Sequence, residues 1–205
     1  MMGHAGMAAT VVRYLRSVGA PTAEPPPLDV LPRPDLRAVG DDERAPVDPA
    51  EFRRVLGEFA SGVTVVTAAD PETGAAGFAC QSFASLSLDP PLVAFMVART
   101  STTWPRIARA GSFCVNVLAE GQGELCRGFA VSGADKFAGV RYDEAPVSGA
   151  PRIDGVAAWI DCAIHAVHTG GDHLIVVGRV TALGAEGNGA GPLVFHRGAF
   201  SALRD

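Results

Sequence analysis

The sequence predicts a mainly β fold, an antiparallel barrel with short helices at its rim. About seven segments show the alternation of apolar and polar residues, or the continuous apolar run, that is typical of strands. Strands do not alternate regularly with helices, which disfavours a doubly wound parallel sheet, and no G-x-G-x-x-G motif follows a strand. The turn at residues 169–172, with sequence TGGD, is a strong hairpin signal between two long strands. A closed antiparallel barrel fits these observations best.

Residues 1–47 differ in composition from the rest of the chain. Seven prolines lie in this segment, among Ala, Asp, Glu and Arg. Proline removes a backbone donor and fixes φ, so neither a helix nor a strand ladder can run through the segment. We expect residues 1–47 to form a proline-rich arm that is mostly disordered or lies over a partner subunit. The folded domain is then expected over residues 48–205.

The domain is expected to begin with a helix. Asp48 and Pro49 suit the N-cap and N1 positions, and Glu51 suits the N3 position of a capping box. Gly62 is expected to end this helix. An apolar stripe at helical spacing is formed by Phe52, Val55, Leu56 and Phe59. Strands are expected at 63–69, 77–88, 92–98, 113–118, 157–168, 173–183 and 193–200, further helices at 101–110 and 120–129, and a loop-rich stretch at 131–155.

Composition excludes several classes of function. The formal net charge is −5 and no run of Lys or Arg occurs, so a nucleic-acid partner is not expected. No segment approaches the ~20 apolar residues of a membrane span, and no basic region precedes the apolar N-terminal stretch as in a signal peptide. The four cysteines contain no C-x-x-C pair, which predicts reduced thiols and no metal site. We therefore expect a cytoplasmic protein.

Two stretches carry residue types suited to a ligand with a planar ring and a phosphate. In residues 80–92, small and hydroxyl side chains offer donors to a polar ring edge, although a serine-rich strand facing water would look the same. In residues 99–106, several hydroxyls precede a predicted helix start, where exposed N–H groups favour phosphate. An ordinary capped helix is the alternative for this second stretch.

Taken together and in order, these segments resemble the flavin reductase-like family, the small reductase components of two-component flavin-dependent monooxygenases. The resemblance covers roughly residues 48–203. It implies a split β-barrel of the antiparallel, Greek-key-like, FMN-binding type, and a homodimer with FMN or FAD bound near the dimer interface. It also implies NADH or NADPH as co-substrate and an oxygenase partner reached by flavin diffusion. The matching stretches are residues 62–67, 81–83, 87–92, 113–118, 135–137, 171–173, 178–180, 192–193 and 197–198.

The resemblance also assigns site residues position by position. The isoalloxazine ring and ribityl chain would be lined by Thr64, Gln81, Ser82, Phe83, Ala84 and Ser85. The phosphate end would be formed by Ser101, Thr103 and Trp104, the flavin would be flanked by Lys136 and Phe137, and the nicotinamide nucleotide would meet His173 and Arg197. Thr102 stands where the family often has a basic residue. This departure predicts a weaker phosphate site, or one that depends on Arg99 or Arg106.

The main prediction is therefore an NAD(P)H-dependent flavin reductase. Hydride transfer from nicotinamide C4 to flavin N5 requires positioning rather than an acid, a nucleophile or a metal from the protein. That agrees with a sequence in which no such catalytic constellation is visible. Two alternatives stay open, a pyridoxamine-phosphate-oxidase-like flavoenzyme with its own substrate and a non-catalytic flavin-binding or redox-sensing module.

Overall fold

Antiparallel strands make up about half of the described chain, as the alternating patterns predict. The structure is a computed structural model, and it describes residues 47–131, 133, 135–185 and 189–203. The arm predicted over residues 1–47 lies outside the described residues except for Val47. In the part of the chain that is described, no helix is long and apolar enough to cross a bilayer.

The described elements are three α-helices, one 3-10 turn and twelve strands. The helices are α1 (Pro49–Leu56), α2 (Trp104–Ala110) and α3 (Gly123–Ala130), and the 3-10 turn is Glu120–Gln122. The first six strands are β1 (Ser61–Gly62), β2 (Thr64–Asp70), β3 (Gly74–Cys80), β4 (Phe83–Leu88), β5 (Pro91–Ala98) and β6 (Ser112–Val117). The last six are β7 (Tyr142–Glu144), β8 (Pro151–Ile153), β9 (Ala158–Gly170), β10 (His173–Ala185), β11 (Leu193–His196) and β12 (Ala199–Ala202).

Seven strands form the main sheet, in the order β3-β2-β6-β9-β10-β5-β4. Every neighbouring pair in it is antiparallel. Pairs such as β2 with β6 and β5 with β10 join strands that are distant in sequence, which gives the Greek-key-like connectivity. A small sheet of β1, β11 and β12 and a ribbon of β7 and β8 complete the described strands.

The core of the main sheet is organised around Phe95 on β5. Its ring meets Phe113 edge-on at 5.1 Å between centroids, and Trp104 of α2 at 6.4 Å. Gly178 on β10 leaves room for this stack, because a Cβ there would lie 2.3 Å from the Phe113 ring. Ile107 of α2 is fully buried in the same cluster. Aromatic packing therefore fixes α2, and the loop that leads into it, against the sheet.

The two end strands of the main sheet, β3 and β4, approach each other without pairing. No ladder joins them in the described residues. Instead, the Ser82 hydroxyl donates to Met96 O at 3.0 Å and accepts from Met96 N at 3.1 Å, which ties the β3–β4 corner to β5. Phe78 of β3 also packs on Phe95 at 5.9 Å. The expectation of a closed barrel is therefore wrong, and the split form implied by the resemblance is correct.

Helix α1 begins at the predicted N-cap but without the predicted capping box, because the Glu51 carboxylate accepts from Arg54 instead, and the helix ends early. The Asp48 carboxylate accepts from the backbone N–H groups of Ala50 and Glu51, as an N-cap should. The helix ends at Leu56 rather than at Gly62, which lies in β1. Phe59 beyond the last turn is 81% exposed, so the apolar stripe finds no core in the described chain that would extend the helix.

Two other predicted boundaries are wrong for local reasons, and the predicted loop-rich stretch contains one short ribbon. The single strand expected at 77–88 is two strands, β3 and β4, because the chain turns at Gln81 and Ser82. The strand expected at 193–200 is a hairpin, because Arg197 and Gly198 both take positive φ angles, 49° and 79°, in a two-residue turn. The stretch at 131–155 contains the β7–β8 ribbon. The four cysteines are free and buried, as predicted.

Candidate functional site

A cleft of about 710 Å³ lies where several elements of the main sheet meet α3, and we call it the main cleft. The β3–β4 corner forms one wall through Gln81 and Ser82, and the loop between β5 and α2 forms another through residues 100–103. His173 at the start of β10, Lys136 after α3 and Arg127 of α3 add charged or titratable side chains to its lining. Small-molecule and cofactor sites usually occupy about 300–1,000 Å³, so the size suits such a ligand.

At the β3–β4 corner, most polar side chains have hydrogen-bond partners within the protein. The Ser82 hydroxyl is occupied by the backbone of Met96, as described above. The Cys80 sulfur lies 3.4 Å from the same hydroxyl, and burial raises the pKa of the Cys80 thiol, so that it stays neutral. Gln81 is exposed at the cleft. The corner thus presents backbone, a neutral thiol and one exposed amide.

The loop between β5 and α2 presents one hydroxyl that has a partner in the protein and two that are free. Ser101 accepts from the backbone N–H of Trp104 at 3.2 Å, which starts α2. Thr103 occupies the N-cap position, yet its side chain makes no capping hydrogen bond. The hydroxyls of Thr102 and Thr103 have no hydrogen-bond partner within the described residues, although Thr103 is only 9% exposed. These two hydroxyls can therefore bind a ligand at this end of the cleft.

Lys136 joins the far wall of the cleft to β3. Its Nζ donates to Phe129 O at 3.0 Å and to Gly77 O at 3.2 Å, so it connects the end of α3 with the edge strand. Partial burial lowers the pKa of the Lys136 ammonium, and the nearby positive charge of Arg106 lowers it further. An ammonium group has three donors, so one remains for a ligand in the cleft.

His173 lies at the start of β10, and one of its two ring nitrogens has a partner within the protein. Its Nδ1 lies 2.8 Å from the Asp172 carboxylate, and this contact lowers the pKa of the Asp172 carboxyl. The backbone of Asp172 is fixed in turn, because its carbonyl accepts from Arg99 N at 3.0 Å. With Nδ1 engaged, Nε2 is the ring nitrogen that remains for a ligand.

Six of the sequence-predicted site residues line the main cleft together. They are Gln81, Ser82, Ser101, Thr103, Lys136 and His173. The structure thus joins the serine-rich stretch and the hydroxyl-rich stretch in one groove, although neither alone favoured a ligand over an ordinary surface. What these residues bind stays a prediction.

The remaining predicted residues do not line the main cleft: Thr64, Phe83, Ala84, Ser85, Trp104, Phe137 and Arg197. Thr64 is buried and donates to Cys80 O at 2.8 Å, so it supports the corner from behind. Trp104 packs on Phe95, as described above. Arg197 forms an ion pair with Glu58 at 2.6 Å on the exposed surface. Their roles toward a ligand also stay predictions.

Several lining residues were not expected from the sequence. They are Met96, Cys126, Arg127, Phe129, Phe195 and Phe200. The two last rings pack edge-on at 5.6 Å in the β11–β12 hairpin, and Arg127 of α3 lies over Phe200 at 5.1 Å. No local pattern marks these residues, because only the tertiary arrangement of α3 and the hairpin brings them to the cleft.

Comparison with known proteins agrees with the sequence resemblance. The model of the flavin reductase like domain matches residues 56–204. A flavin reductase from Pseudomonas putida is 49% identical over 157 residues, which cover 77% of this chain and 91% of that protein. The reductase subunit HsaB of a flavin-dependent monooxygenase from Rhodococcus jostii is 48% identical over 157 residues, with coverage of 77% and 79%.

A solved structure with the same fold is the NADH:FAD oxidoreductase of Streptomyces globisporus in complex with NAD and FAD fragments. It superposes with a TM-score of 0.72 at 36% identity, covering 78% of this chain and 98% of that one. The family model spans well over half of the chain, and the relatives above are matched over most of their length. The chain therefore belongs to the flavin reductase-like domain family.

Proposed function

We propose that the protein is an NAD(P)H-dependent flavin reductase that reduces FMN or FAD and supplies the reduced flavin to a partner monooxygenase. The observation that carries this proposal is the main cleft, which gathers Gln81, Ser82, His173 and the hydroxyls of residues 101–103 in one groove. The relatives support it, since one is named a flavin reductase and another the reductase subunit of a flavin-dependent monooxygenase.

The donor set of the main cleft suits a flavin. The free hydroxyls of Thr102 and Thr103 and the third donor of Lys136 lie at one end, where they suit a phosphate. The β3–β4 corner offers backbone groups and Gln81 to the polar edge of a ring. Apolar side chains such as Met96 and Phe195 line the space between. An apolar slot with a few placed polar groups is the usual form of a cofactor site.

A bound flavin would supply the redox chemistry by accepting a hydride at N5 from nicotinamide C4. The task of the chain is to hold the two rings so that these atoms lie within about 3–3.5 Å. Donors at residues 81–82 would stabilise negative charge at the N1–C2=O edge of the ring. Apolar residues such as Met96 and Phe195 would exclude water from the stacked rings.

We assign His173 to the nicotinamide side of the cleft. Asp172 holds Nδ1, so the ring has a fixed orientation and presents Nε2. A positioned ring in the lining of the cleft can contact the nicotinamide or its ribose without a proton leaving the imidazole. His173 is therefore proposed as a residue that binds and orients the co-substrate.

We further propose that the protein works as a homodimer. The face of α1 carries Phe52, Val55 and Leu56, each about half exposed, and Phe59 follows at 81% exposure. Contiguous exposed apolar side chains of this kind are typical of a subunit interface. We also propose the cytoplasm as the compartment, since all four cysteines are free thiols and thiols stay reduced there.

The test is an assay of NADH or NADPH oxidation with free FMN or FAD as the only acceptor. We expect rapid oxidation with at least one pair and release of the reduced flavin. A flavin that stays bound and reacts only with a third compound would favour an oxidase with its own substrate. Flavin binding without any nicotinamide oxidation would favour a binding module, and either result would overturn the proposal.

A further inference from the structure

The β11–β12 hairpin supplies two aromatic rings to the lining of the main cleft. Phe195 on β11 lies directly opposite Phe200 on β12, and both residues line the cleft. Phe200 also packs against α3, because a Cβ added at Gly123 would lie 3.3 Å from its ring and the Arg127 guanidinium lies over the ring at 5.1 Å. The position of the hairpin therefore determines the shape of this side of the cleft.

Strand β12 depends on the hairpin for its place. It is the last strand of the small sheet β1-β11-β12, so in the described chain it pairs with β11 alone. Strand β1 supports β11 through two residues, Ser61 and Gly62. Phe200 follows closely after the turn at Arg197, so a contact from outside the hairpin that holds this turn also holds β12.

The turn of the hairpin has an unfavourable backbone conformation. Arg197 has a φ of 49°, and it is the one non-glycine residue with a positive φ among those that the structure describes. Such a conformation brings the Cβ close to the following carbonyl oxygen, so Gly, Asn and Asp are the residues usually found there. A residue held in this region needs contacts that keep it there, and such residues are concentrated at functional sites.

The contacts that hold Arg197 come from the segment after α1. Its Nε and Nη2 donate to the Glu58 carboxylate at 2.9 and 2.6 Å, and its backbone N–H donates to Gly57 O at 3.0 Å. The hydrogen bond from Arg197 lowers the pKa of the Glu58 carboxyl, which keeps this group ionised. Three donors of one residue thus attach the turn of the hairpin to residues 57–58.

We propose that Arg197, held by Glu58, is a positioning residue that fixes Phe200 in the lining of the main cleft and thereby keeps the nicotinamide nucleotide in place for hydride transfer. This proposal rests on the proposed function, because Phe200 can affect the reaction only if the nucleotide binds in the main cleft. Arg197 does not line the cleft, and Glu58 engages two nitrogens of its guanidinium. It therefore acts through the hairpin and not by contact with the nucleotide.

The flavin and the nicotinamide should respond differently to a displaced Phe200. The polar groups proposed for the flavin, at Gln81, Thr102 and Thr103, lie on other elements, so flavin binding should be retained. Hydride transfer needs two rings held within about 3–3.5 Å of each other at the reacting atoms. A loosened apolar side of the cleft would impair that geometry and admit water.

The experiment measures kcat/KM for the nicotinamide nucleotide and the dissociation constant of the flavin in Glu58→Gln. This variant removes the ion pair and leaves the sequence of the turn unchanged. We expect kcat/KM to fall about fivefold, which is as much as one exposed ion pair of good geometry can supply, and the flavin constant to stay within about twofold. Glu51→Gln is the matched control, because Glu51 forms an exposed ion pair with Arg54 at 2.7 Å and should change neither quantity.

Arg197→Asn separates the ion pair from the turn. Asn suits a positive φ, so the hairpin should keep its turn and Tm should stay within about 2 °C of the wild type. Its short amide cannot replace the guanidinium, so kcat/KM should fall by the same factor as in Glu58→Gln. If Arg197 instead bound the nucleotide, Glu58→Gln would free the guanidinium and kcat/KM would not fall. That result would overturn the proposal.

A double-mutant cycle tests whether the effect passes through Phe200. In a Phe200→Ala background, Glu58→Gln should change kcat/KM by less than about twofold, because the ring to be positioned is absent. A full fivefold loss in that background would mean that the ion pair acts on the reaction by another route, and the assignment to Phe200 would be wrong.

Hydrogen exchange of the β12 amides gives a measurement that does not depend on turnover. We expect exchange about fivefold faster in Glu58→Gln than in the wild type and unchanged in Glu51→Gln. Unchanged exchange in Glu58→Gln would mean that the ion pair does not hold the hairpin, which overturns the proposal by itself. Failure of the proposed function is recognised separately, since the wild type would then oxidise neither NADH nor NADPH with either flavin.

Discussion

The two walls of the main cleft differ in what their hydroxyl groups do. At the β3–β4 corner, the Ser82 hydroxyl both donates to and accepts from the backbone of Met96. In the loop between β5 and α2, the hydroxyls of Thr102 and Thr103 have no partner in the described chain. The hydroxyl of the first wall therefore shapes the cleft, whereas two hydroxyls of the second wall stay available to a ligand. Side chains of the same type thus have a structural partner on one side and none within the described chain on the other.

The difference has a physical cause in the split sheet. The end strands β3 and β4 lack a ladder partner at the corner, so the Met96 backbone groups would lose hydrogen bonds there without Ser82. Helix α2 is secured by Trp104 and Ile107 in the core and by the Ser101 hydroxyl at its start, so the hydroxyls of Thr102 and Thr103 are not needed to hold it. Because α2 packs on the core, the hydroxyls of Thr102 and Thr103 stay available to hydrogen-bond with a ligand.

In the His173 ring, Nδ1 has a partner in Asp172 and Nε2 is available to a ligand. Substitution of His173 should have the largest effect. In His173→Ala, we expect kcat/KM for NADH to fall about 100-fold, because a mispositioned nicotinamide loses the near-attack geometry. The dissociation constant of the flavin should change less than about threefold. Steady-state kinetics and flavin titration measure the two quantities. His168→Ala is the control, since His168 is exposed on β9 of the same hairpin and does not line the cleft. Equal losses of flavin binding and turnover would contradict the assignment.

Thr102→Val tests the binding wall and should have the next largest effect. Valine keeps the shape but removes the free hydroxyl, so flavin affinity should fall about three- to tenfold if a phosphate accepts that hydrogen bond. Thermal stability should stay unchanged, because Thr102 makes no hydrogen bond within the described chain. Thr169→Val, in an exposed position outside the cleft, should change neither quantity. If Thr102→Val lowered Tm and left flavin affinity unchanged, the Thr102 hydroxyl would serve the fold. The difference between the two walls would then be contradicted.

Ser82→Ala tests the shaping wall. Two backbone groups of Met96 lose their partner, but Met96 is 40% exposed, so water replaces part of the loss. We expect a cost of about 1 kcal/mol in the free energy of unfolding, seen as a fall of about 2–4 °C in Tm. Flavin affinity should change less than about threefold. Ser85→Ala, exposed on β4, is the matched control and should leave Tm unchanged. A large loss of flavin affinity in Ser82→Ala without a fall in Tm would mean that the hydroxyl binds the ligand directly.

Most of the fold could be predicted from the sequence, because the alternation of apolar and polar residues defines strands locally. The N-cap at Asp48 and the hairpin joining β9 to β10 were also correct, since their signals are short-range. The closed barrel was wrong, because closure depends on whether β3 and β4 meet, and nothing local decides that. The end of α1 was wrong because an apolar stripe shows where a helix could pack, not whether a partner surface is present.

The site was predictable only in part for the same reason. Gln81, Ser82 and Ser101 were found because they lie in stretches rich in small and hydroxyl residues. Phe195 and Phe200 carry no such signal, and only the β11–β12 hairpin brings them to the cleft. The sequence also could not separate the committed hydroxyl of Ser82 from the free one of Thr102, because that depends on tertiary hydrogen bonds.

Asp70 connects α2, which follows the second wall, to the β2–β3 turn, and its removal should have the smallest effect at neutral pH. Its buried carboxylate accepts from Thr73 at the β2–β3 turn and from Arg109 of α2 at 2.8 Å. The Thr73 hydroxyl, with the Glu72 backbone N–H and Arg109, holds the Asp70 pKa at about 2. A carboxyl whose pKa is lower in the folded than in the unfolded state contributes stability above the unfolded value, near pH 4. That contribution is lost as pH falls from about 4 to about 2.

Asp70→Asn should therefore flatten the decline of Tm between pH 4 and pH 2, while its Tm at pH 7 lies somewhat below that of the wild type. Thermal melts across this range measure both effects. Glu72→Gln is the control, because Glu72 also contacts Arg109, at 3.1 Å, but is exposed, and exposed ion pairs contribute little. The control should keep the wild-type acid dependence. If Asp70→Asn keeps it as well, the carboxylate does not hold α2 to the β2–β3 hairpin, and α2 is fixed by the aromatic core alone.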